Sequence, residues 1–219
     1  MFHELKALVG RPVSATDGEI GHIRTFLFDD QSWKVRYLVV DVGRWLGGRE
    51  VVLPTESLGR ADFTIRTCHV RLTKEQVRNS PDIDSEKPVS RQQDIAMAEY
   101  YGSFAWWIDT EYGLPSLPAY RKFPVGSQED PHLRSTSHLL GYEVLIPDEG
   151  KARLEGFVLD EDQWHLNYLD VKTGNWLNNR SMLIPTQWVD RVLWATRQIF
   201  LHKAAQPAAT DRGHLADAG

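Results

Sequence analysis

The residues best equipped for chemistry in this chain are one cysteine, eight histidines, two acidic clusters and two Gly-x-Trp-Leu segments. Cys68 stands beside His69 in a stretch that reads as a strand, where adjacent side chains point to opposite faces, so the two do not meet as a nucleophile and base. The histidines are scattered from His3 to His214, with no HExxH and no second cysteine. A zinc site needs about three or four converging ligands, and no such cluster is spelled out, so no metal and no cofactor are expected.

The acidic clusters Asp29-Asp30 and Asp160-Glu161-Asp162 could hold a divalent cation or work as paired carboxylates. Each also follows an apolar run, where Asp and Ser stabilise a turn by bonding nearby backbone groups, and that accounts for them without a site. There is no G-x-S-x-G, P-loop or G-x-G-x-x-G, and Gly47-Gly48 sits in a turn before Arg49. An enzyme is not expected. Trp45 and Trp176 recur in the two Gly-x-Trp-Leu segments, with Arg49 and Arg180 four residues on. A tryptophan in a Gly-containing turn can plug a barrel, which is the simpler reading. It can also stand out as a binding hot spot, with the arginine forming a cation–π or carboxylate-binding pair. With Trp106 and Trp107, these four residues are the candidate partner-binding positions.

The elements that position them come in two copies. Leu8-Val9-Gly10-Arg11-Pro12-Val13 returns as Leu139-Leu140-Gly141-Tyr142-Glu143-Val144, and Phe26-Leu27-Phe28-Asp29 returns at the same offset as Phe157-Val158-Leu159-Asp160. Tyr37-Leu38, Gly43, Trp45-Leu46, Arg49 and Pro54-Thr55 keep that register. A two-residue shift then pairs Val70-Arg71-Leu72 with Ile199-Phe200-Leu201, so the repeat covers 8–74 and 139–203. This period is too long for a solenoid, whose repeats run to about 20–50 residues, so each copy is expected to close its own small core.

Within one copy, short apolar runs rich in β-branched and aromatic residues alternate with turn residues, as in Val35–Asp41 and Val51–Leu53. Asp29 to Ser32 predicts a hairpin, repeated at Asp160 to Gln163, while the Gly18 and Gly21 pattern is lost near Gly150. Thr73 and Gln76 form a capping-box pattern that predicts a short helix ending before Pro81. The expected architecture is mainly β: two small barrels from an internal duplication, at 1–80 and 133–206. A connector at 81–132 carries a short helix over 91–101 and a dense run of rings that cover a barrel face or line a groove. A small polar tail at 207–219 completes the chain and is expected to be disordered.

Hydrophobic residues make up 42% and charged residues 25% of the 219, with net charge -5, a pI of about 5.9 and mean hydropathy of -0.41. These are values of a folded soluble protein without a global positive field, which disfavours direct contact with nucleic acid. No apolar run approaches the roughly 20 residues that span a bilayer, and the first residues lack a signal-peptide pattern, so a cytoplasmic location is expected.

The order Leu8-Val9-Gly10-Arg11-Pro12-Val13, Asp17-Gly18-Glu19-Ile20-Gly21, Arg36-Tyr37-Leu38-Val39-Val40-Asp41 and Val51-Val52-Leu53-Pro54 resembles the PRC-barrel family. That family is found in the cytoplasmic part of the H subunit of photosynthetic reaction centres and in the ribosome maturation factor RimM. The connector's Lys87-Pro88-Val89-Ser90-Arg91-Gln92 and Tyr100-Tyr101 look like those of two-barrel bacterial members. The resemblance implies a six-stranded barrel used to hold an assembly. The chain departs from both relatives, with neither a transmembrane helix nor a separate RNA-associated domain. A non-enzymatic adaptor is therefore expected, binding a protein partner, with oligomers open and any membrane association indirect through a photosynthetic or other membrane complex. The alternatives are a small-ligand or metal-binding sensor in an inter-barrel cleft and a ribosome-associated factor.

Overall fold

The computed structural model describes residues 1–43, 47–58, 67–81, 97, 100–101, 133–147, 150–173 and 180–202. The expected roles of the tail, of most of the connector, and of Trp45, Trp106, Trp107 and Trp176 lie outside the described residues. The chain opens with β1 (Phe2–Glu4) and a 3-10 turn at Leu5–Ala7. Then come β2 (Pro12–Ala15), β3 (Gly18–Asp29), β4 (Val35–Asp41), β5 (Glu50–Pro54) and β6 (Cys68–His69), closed by helix α1 (Lys74–Arg78). The second half runs β7 (Leu133–Ser135), helix α2 (Thr136–Leu139), β8 (Glu143–Ile146), β9 (Gly150–Asp160), β10 (His165–Thr173), β11 (Arg180–Pro185), β12 (Val189–Leu193) and β13 (Gln198–Leu201). The protein is mainly β, as the short alternating runs predict.

The strands form two sheets, ordered β5-β4-β3-β2-β6 and β11-β10-β9-β8-β13-β12. Among the described residues each order is an open path rather than a closed ring. An offset of 131 residues, that of Leu8 to Leu139, carries β2 onto β8, β4 onto β10 and β5 onto β11 to within a residue at each end. It also carries the 3-10 turn Thr55–Ser57 onto Thr186–Trp188.

The ladder corrects one point of the repeat. Val13 pairs with Cys68, and its counterpart Val144 pairs with Ile199, so Cys68 and Ile199 are equivalent and no two-residue shift is needed. Side-chain direction repeats every two residues, so a slip of two leaves the alternation of buried and exposed positions intact and hides in the sequence.

The two halves exchange a strand. β2 covers only the first part of β3, pairing between Gly18 and His22, and leaves the edge of β3 open further along. β7 fills that edge, with Leu133 opposite Asp29 and Ser135 opposite Leu27. Reciprocally, β1 pairs with β9, with Phe2 opposite Asp160 and Glu4 opposite Val158. An open edge is a template for pairing with another chain, and each half covers the other's. The expectation that each copy closes its own core is revised accordingly. One continuous cluster of buried side chains runs through both sheets, and the Phe28 and Phe157 rings lie 6.3 Å apart across the seam. Burying each such ring contributes roughly 1.5–3 kcal/mol.

The hairpin turns show why the strands meet there. Asp29 Oδ1 accepts from the backbone amides of Gln31 and Ser32 and from the Ser32 hydroxyl, and Asp160 Oδ1 accepts from the Asp162 amide. The chain then passes through Trp33 (φ 58°) and Trp164 (φ 52°), left-handed conformations seldom adopted by a bulky side chain. Trp33 stacks on Phe28 with centroids 5.4 Å apart. Its carbonyl accepts from the Leu166 amide at 2.9 Å, and the Trp164 carbonyl accepts from the Val35 amide at 2.7 Å. The unfavourable φ is held by packing and by a hydrogen bond to the opposite half.

Candidate interaction surfaces

The acidic clusters turn out to have two separate duties. Asp29 and Asp160 make the turns, while the next residue clamps the exchanged strand. Arg134 Nε of β7 donates to Asp30 Oδ2 at 3.3 Å, and at the equivalent place His3 Nε2 of β1 lies 2.7 Å from Glu161 Oε2. All four side chains are largely shielded from solvent. The Arg134 guanidinium also lies 4.4 Å from the centroid of the Trp194 ring, so one arginine joins β3, β7 and the second sheet. The partner of the second acid was not legible, because nothing in a three-residue segment announces a strand.

Of the residues singled out by the Gly-x-Trp-Leu repeat, Arg49 and Arg180 are described. Arg49 Nη2 donates to the Arg78 carbonyl at 2.9 Å and to the Ser80 carbonyl at 3.2 Å. Its donors cap the C-terminal end of α1, where the helix leaves carbonyls unpaired and favours a cation, rather than facing a carboxylate. Arg180 is exposed at the start of β11, so the repeated arginines are not used alike. The capping box of α1 forms in both directions, Thr73 Oγ1 accepting from the Gln76 amide and Gln76 Oε1 from the Thr73 amide.

From the connector, Met97 and Tyr101 are buried. The Tyr101 hydroxyl donates to the Val52 carbonyl at 2.5 Å and the Tyr100 hydroxyl to the Gln76 carbonyl at 2.6 Å. Burial raises the pKa of both phenols above its ordinary value. These two rings therefore dock the connector onto the first sheet and α1.

Cys68 is buried and His69 exposed, as the strand alternation requires. Burial pushes the Cys68 thiol up to about 11, with Arg11 opposing the shift, so it stays a thiol at neutral pH. Among the described residues no group of three or more His, Cys, Asp or Glu side chains could hold a metal ion. Among them, too, no helix is long and apolar enough to cross a membrane.

A groove among the described residues lies on the seam. It measures about 520 Å³ and is lined by Gly10, His22, Arg24 and Asp41 of the first half and by Ser137 and His138 of the second. Thr25 anchors its floor. Its hydroxyl lies 3.0 Å from that of Ser135 and 3.2 Å from that of Thr136, and it accepts from the Ser137 amide. Arg24 is paired with Glu50.

With this geometry in hand, two comparisons bear on identity. Residues 2–75 match the family model described as PRC-barrel domain. The chain is also similar to a Deinococcus radiodurans protein described as "Uncharacterized protein", 31% identical over 85 residues, which is 38% of this chain. It spans 30% of that relative's length.

Proposed function

Residues 2–75 are thus a PRC-barrel domain, and from that premise we propose that the protein is a non-enzymatic adaptor that holds a protein partner. The observation that carries this reading is the reciprocal strand exchange, which fuses both sheets into one frame with a shared core. A frame built this way fixes its two halves relative to one another, as holding an assembly requires. Its proposed setting is the cytoplasm, beside a photosynthetic or other membrane complex reached through the partner. The candidate contact residues remain Trp45, Trp106, Trp107, Trp176 and the exposed Arg180.

Affinity purification of the tagged full-length chain after in-cell crosslinking is expected to recover one defined protein at fixed stoichiometry. Trp45→Ala or Trp107→Ala should weaken recovery while the near-UV circular dichroism stays native. Recovery of no defined partner overturns the reading, and loss of fold in both variants removes those rings from the interface.

The seam groove supports a second reading, a small-ligand sensor, because residues of both halves line it. Native mass spectrometry of protein purified from its host tests this, and a clean apo mass sinks it.

A further inference from the structure

Resting on the adaptor reading, we propose that the outer face of the second half docks an acidic segment of a protein partner through Lys151, Arg153 and Lys172. The argument starts from a row of side chains that crosses the same four strands in each half. In the first sheet the row is Pro12, His22, Asp41 and Glu50, each opposite the next in the ladder. In the second it is Glu143, Arg153, Lys172 and Ser181. The frame is shared while the charge changes sign: two acids are replaced by one cation and one hydroxyl, a histidine by a second cation and a proline by the acid Glu143, so the row goes from two negative charges to one net positive charge.

The second row also carries an unfavourable contact. Arg153 and Lys172 are direct cross-strand partners, and like charges placed opposite each other destabilise a sheet. The neighbouring acid does not relieve them. Glu143 is already held by Lys151 Nζ at 2.8 Å and by the Gln198 amide at 3.0 Å. Arg153 Nε has Glu155 at 3.9 Å, with both side chains well exposed, and Lys172 forms no ion pair among the described residues. An incoming carboxylate would lie between two cations that otherwise repel.

The shape suits an extended segment. The cations border an open groove of about 290 Å³ over Gly141. Gly141 has φ 81°, and a Cβ there would meet the Arg153 guanidinium at 3.1 Å, so the absent side chain lets the guanidinium lie across the floor. The preceding residue, Leu140, is an apolar side chain left 47% exposed. A short acidic segment is favoured over RNA or anionic membrane because three clustered cations are few for a long polyanion, which a chain carrying -5 repels more strongly than a few carboxylates, and because the exposed Leu140 next to Gly141 offers an apolar contact.

The test is titration of the full-length 15N-labelled chain with a synthetic decapeptide of glutamate and leucine. A lysine–leucine decapeptide titrated separately is the charge control, and a single-stranded RNA 20-mer and phosphatidylserine vesicles serve as competitors. The acidic peptide should shift the amides of Gly141, Lys151, Arg153 and Lys172, and Arg153→Gln/Lys172→Gln should weaken it about tenfold, as expected for losing two exposed charge contacts. Lys151→Gln alone should give a smaller loss. Shifts confined to other residues, undiminished binding by the double variant, or preferential binding of RNA or vesicles at this face overturns the proposal. Equal recovery of a crosslinked partner from wild type and from the double variant would keep the adaptor and remove this surface.

Discussion

Lys34 forms a β-bridge with His165, the residue that the 131-residue offset makes its own counterpart. A position that pairs with its equivalent marks an approximate two-fold axis, and the Trp33 and Trp164 carbonyls bond the opposite half symmetrically on either side of it. The two halves of one chain thus meet as two protomers of a dimer would, through one patch used twice.

Cooperative unfolding follows from this seam. Because the core is continuous and each sheet contains a strand from the other half, the described body should unfold in one urea transition, with indole fluorescence and far-UV circular dichroism coincident. Arg134→Met removes the Asp30 contact and the stacking on Trp194, and should lower stability by about 1–3 kcal/mol without splitting the transition. Two separated transitions would mean that the halves stand alone.

How much of this was legible depends on the range of each interaction. The hairpins at Asp29 and Asp160 and the capping box at Thr73 are local devices, and the sequence spells them out. The repeat placed β2 to β5 onto β8 to β11 because a constant offset survives without any knowledge of contacts. The strand exchange was invisible, since Phe2–Glu4 and Leu133–Ser135 are too short to show a period and their partners lie more than a hundred residues away. Arg49 was noticed for its recurrence beside a tryptophan, while its carbonyl partners come from α1, which no spacing rule connects to it. The charge inversion between the rows of His22 and Arg153 was present in the sequence but has meaning only once the ladder sets those residues side by side.

Arg49→Met is expected to loosen the end of α1. It removes the donor to the Arg78 and Ser80 carbonyls, a loss of about 1–2 kcal/mol, and Arg49→Lys should restore only part because the shorter side chain carries its ammonium less far than the Nη2 that makes both bonds. Faster amide exchange through α1 and in residues 79–81, with the second half unchanged, is the readout. Unaltered exchange there would show that the helix end is held by other contacts.

Cys68 should not react with a disulfide reagent at pH 8 in the native state and should become fully reactive in denaturant. Its folded pKa, about 11, lies above the ordinary value of 9.0. Stability from this group is therefore complete below pH 9 and lost as pH rises from 9 towards 11. Rapid native labelling at pH 8 would contradict the burial of the thiol.

Glu143 provides the opposite sign. The Lys151 hydrogen bond first, and the Gln198 amide second, hold its carboxyl below the ordinary 4.5. The associated stability is present above pH 4.5 and lost as pH falls through the lower folded value. A carboxyl-carbon NMR titration should give a midpoint under 4.5, and Lys151→Gln should move it back up. A midpoint at or above 4.5 in the wild type would remove the ion pair from solution.

Gly21 and Ala152 occupy equivalent positions, yet substitution should affect them very differently. A Cβ at Gly21 (φ 154°) would fall onto the Asp41 carbonyl, a backbone atom fixed by the β3–β4 ladder. Gly21→Ala must therefore part that ladder, and on the order of 3 kcal/mol or more is expected to be lost. Ala152 is buried in β9, and its methyl has already been accommodated where β9 faces Thr173 and Val144. Ala152→Gly loses only that methyl and some backbone restriction, about 1 kcal/mol. Urea midpoints of the two variants measure the difference. Equal losses would mean that the two halves approach their neighbouring strands in the same way, and that the charge-inverted rows sit on backbones more alike than their glycines imply.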